Sequence, residues 1–283
     1  MTERIVRDPD HVERLDHPRE SDDDESDLAV TAAGYTTTRA RALGLWIAPI
    51  GIAVLGVGLV LYQQGIVNDP EVKIQLSSAL DWSTKLRPQL VEHILIAFWS
   101  TVLVILIAVP LGILLTRPSF RRYAPAVLTV ANSGQALPAY GLLVIFLIIF
   151  GQGTSTVIYA LVLFATLPVL RNTMVGLDNV DRPTIEAGRG MGMTKRGALV
   201  RIEVPLAVPV IVAGVRTAMI INIGMATLAF LIGGGGLGIT INSGLKLQQN
   251  PVLFVGAGMV AVLALTFDWL GAVAERYLKP KGI

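Results

Sequence analysis

The sequence predicts an all-α integral membrane protein with about six transmembrane helices, and three observations carry that prediction. The 283-residue chain is 53% apolar and only 16% charged, with a mean hydropathy of +0.62, well above that of a soluble domain. Its apolar residues gather into runs of about 20, enough at about 1.5 Å per residue to cross a hydrocarbon core of about 30 Å. Its basic residues segregate: with six crossings, 18 of the 23 Lys and Arg share one side, four lie on the other and Arg216 sits within a span. A seventh crossing would erase this bias. With no cysteine and three histidines, two of them in the polar N-terminal segment, disulfides and thiolate metal sites are excluded, and the chain lacks the material for a His-based metal site or nucleophile triad.

Residues 1–43 are polar, carry the acidic run Asp22-Asp23-Asp24-Glu25, and hold too little apolar surface to offset their ordering entropy. A disordered tail is expected there. A simple secretory signal is not, because the first apolar run starts late and behind an acidic leader. That run, 44–62, is span one. Residues 63–92 form a wetter connection with Asp69-Pro70, Asp81, Lys85 and Arg87, in which Trp82, Leu86 and Leu90 suggest a short interfacial helix. Span two runs from His93 to Leu115, with Pro110 a source of kinking, and ends at Arg117, Arg121 and Arg122.

The next stretch, Tyr123 to Phe150, exceeds a minimal span and is interrupted by Asn132-Ser133-Gly134-Gln135 and Pro138. Local sequence allows one broken span or two short ones, and the charge count selects one. Span four is Thr156 to Leu170, span five Leu206 to Ile232 and span six Val252 to about Ala274, followed by the basic segment 276–283. The excess of Lys and Arg on the cytoplasmic side of membrane proteins then places both termini in the cytoplasm of a cell-membrane protein. The loop between spans four and five falls on the same side.

That loop is a polar segment punctuated by glycine, from Gly176 to Pro205. Asp181-Arg182-Pro183-Thr184 reads as a helix start, with Pro in the first turn and Asp181 placed to cap. Gly190 or Gly192 ends the helix, and Thr194 is placed to cap a second one carrying Leu199, Val200 and Ile202. A helix this short is not stable alone, so it is expected to dock into a groove of a partner.

The spacing Glu186, Ala187, Gly188, Gly192, Ile202, Val204, Pro205 resembles the loop signature of the membrane permeases of ATP-binding cassette importers. Gly188 stands where Ala is commoner and Val204 where Leu is commoner. The resemblance implies a binding-protein-dependent importer permease fold, with a permease core over 93–275 and a coupling loop over 176–205. It implies that Glu186, Ala187, Gly188, Arg189, Met191 and Gly192 dock a separate cytoplasmic ATP-binding subunit. The stretches Leu167 to Thr173, Arg189 to Met193, Pro205 to Thr217 and Ile232 to Gly238 look like the osmoprotectant branch, which carries glycine betaine, carnitine or choline. Over about residues 90 to 275 the likeness further implies an extracytoplasmic substrate-binding protein and a second permease subunit, the same or similar. The chain is then a transport subunit rather than an enzyme, without cofactor, metal or nucleic-acid partner. No phosphate-binding Gly-x4-Gly-Lys-Ser/Thr loop occurs, and Gly188-Arg189-Gly190-Met191-Gly192 lacks the strand and spacing of a dinucleotide fingerprint.

Within the spans, Asn132, Ser133, Gln135, Asn222 and Thr227 are candidates to line a path, because polar side chains at membrane depth face the bundle or a cavity. Interhelical hydrogen bonding is the alternative for each. Arg216 and Asp268 lie at similar depths, about 15 and 10 Å from the cytoplasmic side. A structural ion pair is expected, with a gating element as the alternative. Glycines 233–236 are expected to form a flexible bend. Two other readings stand beside the main one: a permease for an amino acid such as methionine, and an ion-coupled secondary transporter, for which the broken span is support. An intramembrane enzyme finds no paired carboxylates or nucleophile and base at depth.

Overall fold

Proline sets where many of the helices start and where they bend. The computed structural model describes residues 45–69 and 74–278, so the expected disordered tail lies outside the described residues. The fold is that of the unit Ile47–Ile283. Helix α1 spans Leu45–Val67, and α2 spans Ile74–Ala79. A π turn, Trp82–Leu86, leads into α3, Arg87–Leu115. Then come α4, Ala124–Ala136, α5, Ala139–Phe150, and α6, Thr154–Asp178. The short α7, Arg182–Gly190, and α8, Lys195–Ala198, precede a second π turn, Leu199–Glu203, that runs into α9, Val204–Ala226. A 3-10 turn, Ala229–Ile232, leads to α10, Gly238–Lys246, and α11, Asn250–Leu278. Strands are absent among the described residues.

Five of these helical segments are long and apolar enough to cross a membrane, and six if the bent pair α4 and α5 is one span. That pair bends by 104° at Leu137-Pro138, where the residue before Pro is pushed out of helical geometry. Leu137 has ψ 142°. Helices α3, α4, α7 and α9 each carry Pro in the first turn; at α7, which starts after a break, its missing N–H leaves no bond unmade. Pro88 and Pro205 fall two residues after the π turns, whose wider winding lets Arg87 N–H reach Trp82 O and Val204 N–H reach Leu199 O.

The helices overrun the apolar stretches that mark them. Helix α1 continues past Tyr62 to Val67, α3 begins at Arg87 rather than His93, and α6 runs to Asp178 rather than Leu170. The segment after Thr194 is one continuous run into α9 rather than a separate helix followed by a span from Leu206. Span five stops at Ala226, with Ala229–Ile232 as a separate tight turn. Apolarity marks hydrocarbon depth, whereas helical hydrogen bonding continues until a cap, Pro or Gly stops it.

Helix α6 packs between α3 and α9 at close range, the arrangement small residues permit in membranes. A Cβ at Gly112 of α3 would sit 2.7 Å from Thr173 Cβ, and one at Gly214 of α9 would sit 2.7 Å from Asn172 Cβ. Around these contacts Val104, Ala108, Ala165, Val169, Leu170 and Ala218 form one buried cluster. A second cluster joins Ile96, Leu142, Leu143, Val157, Leu161 and Ile232. Helix α11 carries Leu263 against Ala97 and Ile223.

Pro168 interrupts α6 and cannot donate to Phe164 O, four residues earlier. A carbonyl orphaned at membrane depth is costly. Gln135 of α4 reaches across and donates its Nε2 to that oxygen at 3.0 Å, which also fixes α4 against α6.

Candidate functional site

The loop between α6 and α9 holds its short helix outward on a built base. Asp181 occupies the N-cap position of α7 without a side-chain bond to the backbone; its Oδ2 instead accepts from Thr184 Oγ1 at 3.0 Å. At the other end Met193 N–H donates to Gly188 O at 3.2 Å and Gly192 N–H donates to Arg189 O at 3.0 Å. This pair of bonds around a left-handed residue is the Schellman termination, and Gly192 has φ +91°. Thr194 caps α8 as expected, its Oγ1 accepting from Gly197 N–H at 3.1 Å.

Gly188 is the one buried residue of α7. A Cβ there would run into Ile202 Cδ1 and lie 3.4 Å from Met193 Sδ, which gives a physical reason for glycine where alanine is commoner. Around it Arg182, Glu186, Ala187, Arg189, Met191 and Gly192 are all exposed, Met191 at 77%. Glu186 makes no side-chain bond among the described residues. Nor do Arg182, Arg189, Lys195, Arg196 and Arg201, which are exposed and outside every ion pair among the described residues. The loop therefore presents an exposed carboxylate and several exposed cations, none in an ion pair among the described residues, on a helix anchored from behind.

Gly192→Val tests the anchor. A β-branched residue at positive φ costs roughly 1–2 kcal/mol, which converts to amide exchange at Met193 faster by roughly 5–30-fold. Unchanged exchange would show that the loop does not depend on this turn.

The anchor extends to α3. Arg117, just past its end, donates Nη2 to Glu203 Oε2 at 2.6 Å and to Thr116 Oγ1 at 3.0 Å. Glu203 is 7% exposed. Arg121 forms a forked pair with Asp178 at 3.2 Å on both arms. Sequence reasoning had no signal for Glu203, which reads as one polar residue in EVP, 86 positions from its partner.

The polar residues proposed for a path are placed differently from one another. Asn222 is fully buried and donates Nδ2 to Thr101 Oγ1 at 3.0 Å, joining α9 to α3. Gln135 serves Phe164 O as above. Ser133 and Thr227 donate to carbonyls of their own helical segments, Thr129 O and Gly224 O. Asn132 is exposed and makes no side-chain bond among the described residues. Arg216 donates Nε to Asp268 Oδ1 at 2.6 Å and Nη2 to Oδ2 at 2.7 Å, with Glu275 Oε2 3.8 Å from its Nη1. Room for the arginine stem comes from Gly271, where a Cβ would meet Arg216 Cγ at 2.8 Å.

At the opposite end of α3 a second polar cluster was not legible. Glu92 Oε2 accepts from Gly236 N–H at 3.0 Å, and fully buried His93 shares its Nε2 with Ile223 O at 2.9 Å. Thr240 Oγ1 donates to Gln89 Oε1 at 2.6 Å. The bend expected from glycines 233–236 is a turn with three positive φ values held by the Glu92 carboxylate. The signal that could have found it is the set Gln89, Glu92 and His93, at helical spacing where the polar connection meets span two. Among the described residues no cluster of three or more His, Asp or Glu is placed to hold a metal.

The described helices form a polytopic bundle with a short, anchored helix in the loop between two spans, the setting in which a family of membrane transport permeases is recognised. Residues 108–280 match the family model of the binding-protein-dependent transport system inner membrane component, and the chain belongs to this family. It is 44% identical over 192 residues to the glycine betaine/carnitine/choline transport system permease protein OpuCB of Bacillus subtilis strain 168, covering 68% of this chain and 88% of that one. It is 41% identical over 189 residues to the osmoprotectant import permease protein OsmY of Salmonella typhimurium, covering 67% and 80%. The carnitine transport permease protein OpuCD of Listeria monocytogenes is 40% identical over 190 residues, covering 67% and 84%. Among solved structures, the inward-facing MetNI methionine ABC transporter superposes with a TM-score of 0.60 at 22% identity, covering 69% of this chain and 96% of that chain. An amino acid ABC transporter with histidines gives 0.57 at 19% identity, covering 68% and 92%.

Proposed function

We propose that this permease is the transmembrane subunit of an ATP-driven importer for quaternary-amine osmoprotectants such as glycine betaine, carnitine or choline. The observation that carries the coupling part is the outward-facing α7, with Glu186 exposed and without a side-chain partner among the described residues, on a base that Gly188, Gly192 and Thr194 hold in place. Such a surface suits a cytoplasmic ATP-binding subunit, whose closure would push on Ile202 and Glu203 behind the helix. The substrate part rests on relatives 35–44% identical that are named for these amines. The methionine transporter shares the fold at 22% identity and lends no weight to its own substrate.

In this reading the basic side, with both termini and α7, faces the cytoplasm. A substrate-binding protein delivers from outside, and a second permease subunit, the same or similar, completes the path. The experiment is uptake of labelled choline and glycine betaine into vesicles holding the permease and supplied with its substrate-binding protein, with and without an ATP-binding subunit. ATP-dependent uptake is expected only with that subunit. Uptake that survives its removal and follows an ion gradient would overturn the reading in favour of a secondary transporter.

A further inference from the structure

A cavity of about 460 Å³ opens between the end of α1 and the first π turn, lined among others by Val60, Gln64, Val67, Asp81 and Trp82. It lies at the end of α3 remote from Arg117, and ahead of the family-matched residues 108–280. Asp81 caps the π turn in an unusual way. Its Oδ1 accepts all three of its hydrogen bonds, from Thr84 N–H at 2.7 Å and from the Thr84 and Ser83 hydroxyls at 2.8 Å each. Oδ2 takes part in none of these three bonds, and a carboxylate has lone pairs to spare. The Thr84 N–H, followed by the Thr84 and Ser83 hydroxyls, holds the carboxyl down to about 2, so it is ionised. Lys85 and Arg87 stand four and six residues away, yet Asp81 makes no ion pair among the described residues. Half-exposed Trp82 shares the cavity, and Gln63 is occupied in tying α1 to Leu80 O at 2.8 Å.

We infer that this cavity is a binding site for a quaternary ammonium cation, with the Asp81 carboxylate and the Trp82 indole as its charged and aromatic walls. Carboxylate, indole and the aliphatic Val60 and Val67 match a cation that is permanently charged, poorly hydrated and coated in methyl groups. A metal ion would require about six oxygen ligands, more than the Asp81 carboxylate and the Gln64 amide supply between Val60, Val67 and Trp82. The site deepens the osmoprotectant reading and rests on it for the identity of the cation. Both a free amine and the choline headgroup of a lipid carry this chemistry.

The test titrates choline chloride and tetramethylammonium chloride against the full-length permease in phosphatidylglycerol nanodiscs, following tryptophan fluorescence. A saturable change with a midpoint on the order of 1–10 mM is expected. Asp81→Asn keeps an acceptor for the Thr84 and Ser83 bonds, so the turn survives, and it should weaken binding about 10-fold or more. Trp82→Phe should remove most of the signal. Equal responses to ammonium chloride, or an unchanged midpoint in Asp81→Asn, would overturn the site. In phosphatidylcholine nanodiscs a lost choline response identifies the lipid headgroup as occupant, and an unchanged one identifies the free cation. Because no ATP-binding subunit is present, absence of binding here sinks the site alone. Failed ATP-dependent uptake with binding intact sinks the osmoprotectant importer alone.

Discussion

Arg216→Ala is expected to destabilise the folded permease by about 3 kcal/mol, the cost of an unpaired charge within a span. The substitution leaves Asp268 without its two short bonds and with the Glu275 carboxylate on the same helix face, seven residues on. Asp268→Ala should cost less, because Arg216 keeps Glu275 at 3.8 Å. Replacing both partners with apolar residues, Arg216→Met with Asp268→Leu, should return stability to within about 1 kcal/mol of the parent, since a matched apolar pair avoids two desolvation costs. Unfolding in detergent, arranged as a double-mutant cycle, measures all three. The size of the first value also locates the pair. Its side chains are 30% and 36% exposed. If that exposed third faced water the loss would shrink to about 1 kcal/mol, whereas facing acyl chains it stays near 3. Parental stability with lost transport would make the pair a gate rather than a brace.

The Arg216–Asp268 contact was legible because charges at matched depth have few alternatives in hydrocarbon. The Arg117–Glu203 contact was not, because both residues sit near the aqueous boundary where a lone charge is ordinary. The same distinction explains Gln135. Its polarity inside a span was visible, and so was Pro168 in α6, yet only packing shows that the amide serves the carbonyl which that proline leaves unbonded. Helix ends were the poorest inference. Arg87, Gln89 and Glu92 read as part of a wetter connection with a short interfacial helix because they are polar, but Asp81 and the π turn start the helical run ahead of them, and Gln89, Glu92 and His93 then become the ties to α10, the glycine turn and α9. The positions of Gly188 and Gly192 came from the spacing of the loop signature. The reasons for them, an isoleucine tip and a left-handed φ, came from the fold.

Glu186→Arg is expected to abolish ATP-dependent uptake while leaving the permease folded. The contrast with Glu203 makes this informative. Glu203 is buried and paired, so removing it strands Arg117 and confounds folding with transport. Glu186 is exposed and makes no side-chain bond among the described residues, so nothing within the chain is lost when its charge is reversed. Surface substitutions of this kind change stability by about 0.5 kcal/mol or less. A reversed charge facing a partner, by contrast, replaces attraction with like-charge repulsion costing several kcal/mol, which is about 100-fold or more in docking. The expected signature is therefore split: an unchanged unfolding midpoint, unchanged choline binding at Asp81 and Trp82, an ATP-binding subunit that no longer co-purifies, and uptake at background. Retained co-purification with retained uptake would remove α7 from the coupling surface and leave its exposed face without a function.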